Sequence, residues 1–239
     1  MIKLHVYLSA IAICAVMWSC KTSAILSASF ESDAINSAPA TDLPGEPSGD
    51  VIEFHTDMTP QLKVQNSTIA GSKALHFTNV SIPDISGHQR WLSFKGIGTD
   101  LTKTIWFTHT GQNTGASHNV LIDVSDGHGN LIARMRIATD GQVGLATNIL
   151  DNYTDVIGNI GSQVHTIIFT VSASTLKYNV TIYPSSGPAI SAVDRPMITD
   201  NPLNFNNPAH PMISFQHSEE TASGHTYAIG SVSISKKQP

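Results

Sequence analysis

Cleaving a glycosidic bond takes two carboxyl groups held about 5–10 Å apart across the sugar. Downstream of residue 20 the chain offers five glutamates for that work: Glu31, Glu46, Glu53, Glu219 and Glu220. None of them falls in an alternating run that would aim two carboxylates from one face of a strand. Glu219 and Glu220 are adjacent, so they point to opposite faces of a strand or lie in a loop. A hydrolase of the paired-carboxylate kind is therefore not expected. The same stretch holds ten histidines, at positions 55, 76, 88, 109, 118, 128, 165, 210, 217 and 225. No two of them form an HxH or HxxxH pair, so they read as scattered histidines and not as a metal site. Nucleophile-elbow, phosphate-loop and dinucleotide glycine patterns are missing as well. No catalytic residues and no cofactor are assigned on these grounds.

Composition narrows the class further. The chain has 239 residues, 13% of them charged, and a formal net charge of −5. Lys236–Lys237 is its longest basic run, so nucleic acid is not an expected partner. Both cysteines, Cys14 and Cys20, stand in the first twenty residues. A domain folded from the remainder has neither disulfide nor thiolate metal site, and at this length it needs no such staple.

The first twenty residues, MIKLHVYLSAIAICAVMWSC, carry a positive Lys3 and then an apolar run from Leu4 to Trp18. That run is too short for a typical membrane span. A small Ser19 precedes Cys20. The pattern resembles a bacterial lipoprotein signal peptide, and the resemblance implies lipidation at Cys20. It also implies export and membrane anchoring in the cell envelope, at the outer membrane or in the periplasm. Residues 21–29 are expected to be a flexible tether, and residues 30–236 a single domain.

Within that domain the apolar residues recur with period two, the mark of strands with one buried face. Leu75 and Phe77 share a side, as do Leu92 and Phe94, and Ile105 and Phe107. Val120, Ile122 and Val124 oppose Asp123. After the turn at 126–130, Leu131, Ala133, Met135 and Ile137 oppose Arg134 and Arg136. Residues 164–171 are apolar on both sides and read as a doubly covered strand. Leu176, Tyr178, Val180 and Ile182 fall together in the strand that follows. Residues 36–50 read as a loop. Residues 184–211 hold six of the twelve prolines and read as a long excursion covering a sheet edge. About eleven strands and no helix predict an all-β, two-sheet antiparallel jelly-roll sandwich.

The opening FESD at 30–33, the strand KALHF, the hairpin around 126–130 and the closing YAIGSVSISK resemble the concanavalin A-like (LamG, lectin and glucanase) jelly roll. The resemblance spans roughly residues 30–236. It implies two antiparallel sheets and a concave face that binds glycans in many relatives. Many relatives also hold a structural calcium through an acidic residue of the first strand and an aspartate of the last. Glu31 matches the first, but Gly230 stands in the place of the second. A second resemblance is to jelly-roll polysaccharide lyases, through Gln163-Val164-His165. It implies His165 as neutraliser or base, Arg90 as uronate holder and Tyr178 or Tyr183 as acid. Residues 90–94 read RWLSF, without that family's arginine motif, and the tyrosines follow His165 too soon for it.

Strand alternation turns Trp91, Trp106, Asp123, Arg134, Arg136 and Tyr183 away from the apolar side. Aromatic rings stack on sugar C–H faces, and Asp and Arg hydrogen-bond sugar hydroxyls. These six are the candidate ligand-binding residues, with a polysaccharide or cell-surface glycan as partner. The leading expectation is a non-enzymatic, envelope-anchored lipoprotein with a carbohydrate-binding or adhesive β-sandwich. The alternatives are a lyase-like enzyme using His165 and a purely structural envelope module.

Overall fold

From Ala24 onward, apolar side chains alternate with Ser, Thr and charged residues, and the backbone takes the extended state that this spacing requires. The structure is a computed structural model describing residues 24–40, 53–54, 62–77, 90–96, 103–114, 119–126, 130–148, 153–199, 210–217 and 227–239. The side chains of residues 53, 54, 90, 91 and 217 lie outside that description, as does the whole stretch 1–23 with Cys20. Among the described residues there are fifteen strands and no helix.

Eight strands, numbered along the chain, form one antiparallel sheet. Its order is β13 (Ile190–Pro196), β12 (Lys177–Pro184), β11 (Val164–Ser172), β6 (Ile105–Asn113), β15 (Tyr227–Ser235), β4 (Lys73–Phe77) and β3 (Leu62–Asn66). The eighth, β1 (Ala24–Ser29), also pairs with β15. The second sheet runs β10 (Asp155–Asn159), β9 (Gln142–Leu145), β8 (Leu131–Ile137), β7 (Val120–Ser125), β14 (Met212–His217), β5 (Arg90–Lys95) and β2 (Glu53–Phe54). Their inner faces close on one core. Phe107, Phe169, Val180 and Ile229 come from the first sheet, and Phe94, Ile122, Met135 and Phe215 from the second. Phe215 of β14 stacks 6.4 Å from Tyr227 of β15. It also meets Phe94 edge-on at 5.8 Å. The expected all-β sandwich is the observed one.

Strands beyond the expected eleven lie at sheet margins. β3, β10 and β13 end their sheets and β1 flanks β15. A marginal strand is paired on one side only and buries fewer side chains, so its alternation is faint: β10 has no buried residue and β13 only Ala192.

Four local expectations are corrected. The segment expected to be a tether contains β1, in register with β15 from Ala24↔Ser235 to Ser29↔Ser231. Ile25, Leu26 and Ala28 are buried, because a bulge at the strand's start turns two consecutive apolar residues inward. Ile25 fills the space beside Gly96, where a Cβ would come within 2.5 Å of it. The proline-rich excursion contains β13, whose Ser191 pairs Thr181 of β12. It covers that sheet edge, while residues 200–209 of the excursion, like 41–50 of the earlier loop, lie outside the described residues. Finally, β11 is buried on one side only: His165, Ile167, Phe169 and Val171 face inward, whereas Thr166, Ile168 and Thr170 stay partly open. Leu176 does not join Tyr178, Val180 and Ile182 in the core either; it sits exposed in the β11–β12 turn with φ 51°.

If β1 is an integral strand, Leu26→Ala should lower unfolding stability by about 2–5 kcal/mol, the usual cost of truncating a buried leucine. Urea denaturation measures it. An unchanged midpoint would return residues 24–29 to the status of a linker.

Candidate functional site

The six residues proposed from alternation do not share a face. Trp91, Asp123, Arg134 and Arg136 belong to the seven-stranded sheet. Trp106 and Tyr183 belong to the eight-stranded sheet. Asp123, Arg134 and Arg136 turn outward from one sheet and Trp106 and Tyr183 from the other, so the two groups stand on opposite sides of the sandwich. A single platform of all six is excluded by that geometry. Alternation tells inside from outside but not which sheet a strand joins.

On the seven-stranded sheet the register builds a compact polar cluster. Asp123 of β7 lies opposite Arg134 of β8, and Leu121 lies opposite Arg136. Leu121 is next to Gln216 of β14, which is next to Trp91 of β5. Arg134 donates twice to Asp123, from Nε to Oδ1 at 2.8 Å and from Nη2 to Oδ2 at 2.7 Å. This fork geometry is the strong form of the pair, and it holds the Arg134 guanidinium above its usual range. The Arg136 guanidinium lies 5.2 Å from the centre of the Tyr153 ring, a cation–π contact. Its Nε is buried without a hydrogen-bond partner.

Tyr153, which alternation could not single out, sits just before β10 with φ 58°. A left-handed tyrosine backbone is uncommon and costs free energy. It is accommodated by Gly144 of β9: a Cβ there would stand 2.7 Å from the Tyr153 carbonyl oxygen and 3.1 Å from its Cβ. Burial raises the Tyr153 hydroxyl above its usual range, so it stays protonated and able to donate. The only sequence sign of this arrangement is a glycine inside a strand, which often marks close approach of another segment.

His165 is not placed as an enzyme base. It is 1% exposed and points into the core. Its Nε2 lies 2.7 Å from the Tyr227 hydroxyl, and the same hydroxyl lies 2.5 Å from His109 Nε2. The roles follow from the outer partner. His165 Nδ1 is 2.9 Å from the Gln163 carbonyl oxygen, which only accepts, so Nδ1 carries the proton. A neutral His165 then accepts at Nε2 from the Tyr227 O–H. Tyr227, having given its one proton, accepts from His109 Nε2–H. His109 Nδ1 is left as a buried acceptor without a partner. Burial holds both imidazoles neutral: His165 is lowered to about 4 and His109 lies well below its usual value, with His165 adding to the latter effect. Gly111 makes room for the chain of bonds, since a Cβ there would meet the Tyr227 hydroxyl at 2.6 Å.

The other lyase residues are dispersed. Tyr178 is buried, and burial pushes its hydroxyl up to about 12. Tyr183 faces the opposite side of its sheet from His165, and Arg90 belongs to the other sheet. The lyase assignment therefore fails on placement.

The Glu31 carboxylate is engaged by the β3–β4 turn. It accepts from the Ser72 amide at 2.7 Å, the Lys73 amide at 3.1 Å and the Ser72 hydroxyl. These bonds, the hydroxyl's first, hold it below its usual range. Lys73 Nζ donates to the carbonyl oxygens of Glu31 and Asp33 at 2.8 and 2.6 Å. Gly230 lies against Ile69 and Ala70 of the same turn. Among the described residues no group of three or more His, Cys, Asp or Glu could hold a metal ion.

No protein-family model matches the chain, and no curated protein does. Among solved structures it is similar to a GH131 β-glucanase catalytic domain from Podospora anserina, at 9% identity and a TM-score of 0.52, covering 79% of this chain and 84% of that one. It is similar also to the binding domain of botulinum neurotoxin DC in complex with SialylT, at 11% identity and a TM-score of 0.50. That match covers 91% of this chain but 48% of the other, about half its length. Lectin II from Ulex europaeus matches at 11% identity and a TM-score of 0.46, covering 82% and 95%. The chain spans 17% of a sialidase that it also matches, with a TM-score of 0.44. At such identities the two matches at or above 0.50 establish the fold alone, a concanavalin A-like sandwich.

The buried imidazoles make stability depend on pH. Unfolded, His165 takes up a proton near pH 6.5; folded, it does so only near pH 4. Acidification through that window favours the unfolded chain and removes roughly 3 kcal/mol of stability. Denaturant titrations at pH 7 and pH 4.5 should show the loss, and His165→Gln should shrink the difference. An equal pH dependence in wild type and variant would refute the sealed imidazole.

Proposed function

We propose that this chain is a non-enzymatic, envelope-anchored lipoprotein whose concanavalin A-like sandwich binds carbohydrate on the outer face of its seven-stranded sheet. The observation that carries the reading is the cluster of Asp123, Arg134, Arg136 and Tyr153. A forked ion pair, an arginine with a free Nε–H and a half-buried phenol stand together on one face. Planar guanidinium groups engage vicinal hydroxyls or a carboxylate through two parallel bonds, while an aromatic ring packs on sugar C–H groups. Two guanidinium groups face one carboxylate, so the cluster carries a surplus positive charge that suits an acidic sugar. The strained Tyr153 backbone supports a functional role, since strain of this kind persists where the surroundings impose it. The non-enzymatic reading is supported by the position of His109 and His165, which are sealed away from any substrate.

The anchor is Cys20, acylated after removal of residues 1–19. Several acyl chains, at about 0.8 kcal/mol per buried CH₂, hold the protein firmly. Only three residues separate Cys20 from β1, so Ala24 stands at most about 14 Å from the lipidated sulfur's own Cα. Ala24 pairs Ser235, and Ser235 pairs Trp106. The Trp106 end of the eight-stranded sheet is thus the membrane-proximal end.

Glycan arrays that include uronate- and sialate-bearing ligands test the site. Arg136→Ala and Tyr153→Ala should each weaken binding by about tenfold or more, the loss of one charge-assisted bond or one stacking contact, with an unchanged urea midpoint. Wild-type affinity in both variants would remove the site. Separately, Cys20→Ser should move the protein from the membrane fraction to the soluble fraction.

A further inference from the structure

The outer face of the eight-stranded sheet carries a pattern that the proposed site does not use. From β1 to β13, fifteen of its outward residues fall into three rows across the strands. One row is Ser29, Ser231, Thr110, Thr166 and Tyr183. The next is Ser27, Ser233, Thr108, Ile168, Thr181 and Ser191. The third is Ser235, Trp106, Thr170 and Asn179. Eleven of these fifteen positions are serine or threonine and none is charged. The opposite face of the sandwich carries Asp123, Arg134 and Arg136 within two strands.

We propose that this face is a second binding surface, for an uncharged, extended polysaccharide chain lying across the strands along the rows. Neighbouring strands stand about 4.8 Å apart, close to the length of one pyranose unit, so successive sugars meet successive hydroxyls. Each hydroxyl both donates and accepts, as sugar hydroxyls do. They already bond to one another across strands, Thr110 Oγ1 to Thr166 Oγ1 at 3.2 Å and Ser191 Oγ to Thr181 Oγ1 at 3.3 Å. The threonine side chains are stiff at χ1, so little rotamer freedom is lost on binding. Tyr183, 51% exposed, closes the first row. Trp106 stands in the third, and both offer rings to sugar faces.

Charge and size select the occupant. The fifteen positions carry no charge, and the outward Lys177 at their margin is paired with Asp194 at 3.7 Å, so the rows have nothing to pair with an anionic polymer or an acidic membrane and match a neutral ligand. Five inter-strand gaps and two steps along the strand give about 24 by 13 Å, roughly 300 Å². That is well below the ~800 Å² per partner of a standard stable protein interface, which argues against a second copy of this chain. A polymer offers many equivalent sites in series, so modest contacts sum through rebinding.

Native affinity electrophoresis of the full chain through gels holding hydroxyethyl cellulose, mannan or a mixed-linkage glucan tests the proposal, with pectate and hyaluronate as anionic counterparts. At least one neutral polymer should retard the wild type. Thr108→Lys and Trp106→Ala should each weaken retardation by about tenfold, through an unpaired charge against the ligand or a lost stacking ring. Val156→Lys, which adds the same charge on an exposed residue of the other sheet, should leave it unchanged. Ser233→Lys repeats the test on β15 if Thr108→Lys shifts the urea midpoint. Retardation by anionic polymers alone, by none, or undiminished in the lysine variants overturns the proposal. So does a wild-type dimer in sedimentation that Thr108→Lys dissociates. Arg136→Ala reports on the other face, so either reading can fail without the other.

Discussion

Every strand here has two sides, and only one of them is allowed to be dry. Side chains alternate across an extended backbone, so a run with Leu, Ile, Phe and Val at every second position must find a partner for that side. Two sheets meeting face to face satisfy all the strands at once, and the core from Ile25 to Ile234 is the result. The outer faces are what remains, and they differ. One collects arginines, an aspartate and a tyrosine; the other collects hydroxyls.

The dry side holds a polar network among the described residues. Tyr227 bonds two imidazoles in the interior, and each belongs to a different strand: β6, β11 and β15 are tied at one point. Buried polar groups are costly unless bonded, and here all but His109 Nδ1 are bonded. The network also has a direction. It runs from His109 through Tyr227 to His165 and ends on the Gln163 carbonyl oxygen, while the Gln163 side chain accepts from Ser185 and Ser186 in the turn after β12. A one-residue slip of any of the three strands would turn its member of the triad to the wrong face. The network therefore fixes register in the middle of a sheet whose remaining inward residues are mostly interchangeable hydrocarbons.

The margins of the sandwich are joined by different means. Arg195 of β13 meets Asp155 of β10 at 2.6 Å, and Ile190 of β13 packs on Gly158 of β10, which has no Cβ to block it. These contacts tie the last strand of one sheet to the last strand of the other. On the far side Glu31 and Lys73 brace the β3–β4 turn over Gly230. Glu31 is thereby occupied in holding the fold, which is a different task from the calcium ligation its family resemblance implied.

Much of this was legible in the chain, because alternation is a local property. Ile122, Met135, Val180 and Ile182 announce an inner face without reference to anything distant, and the all-β sandwich follows. Marginal strands were harder to read, since β10 and β13 bury too little to leave a pattern. β1 was hidden differently: its bulge places Ile25 and Leu26 side by side. The site residues split for a further reason. Trp106 and Arg134 look alike in sequence, as outward neighbours of apolar residues. Which sheet each joins depends on pairings between strands as far apart as β6 and β15. Tyr153 on Gly144, and His165 on Tyr227, are contacts of the same kind. Where no bulge or turn intervenes, the sequence alone determined which residues face inward, since that takes only neighbours two positions away. Tertiary structure decided which outward residues stand together, since long-range strand pairing brings positions distant along the chain into one row.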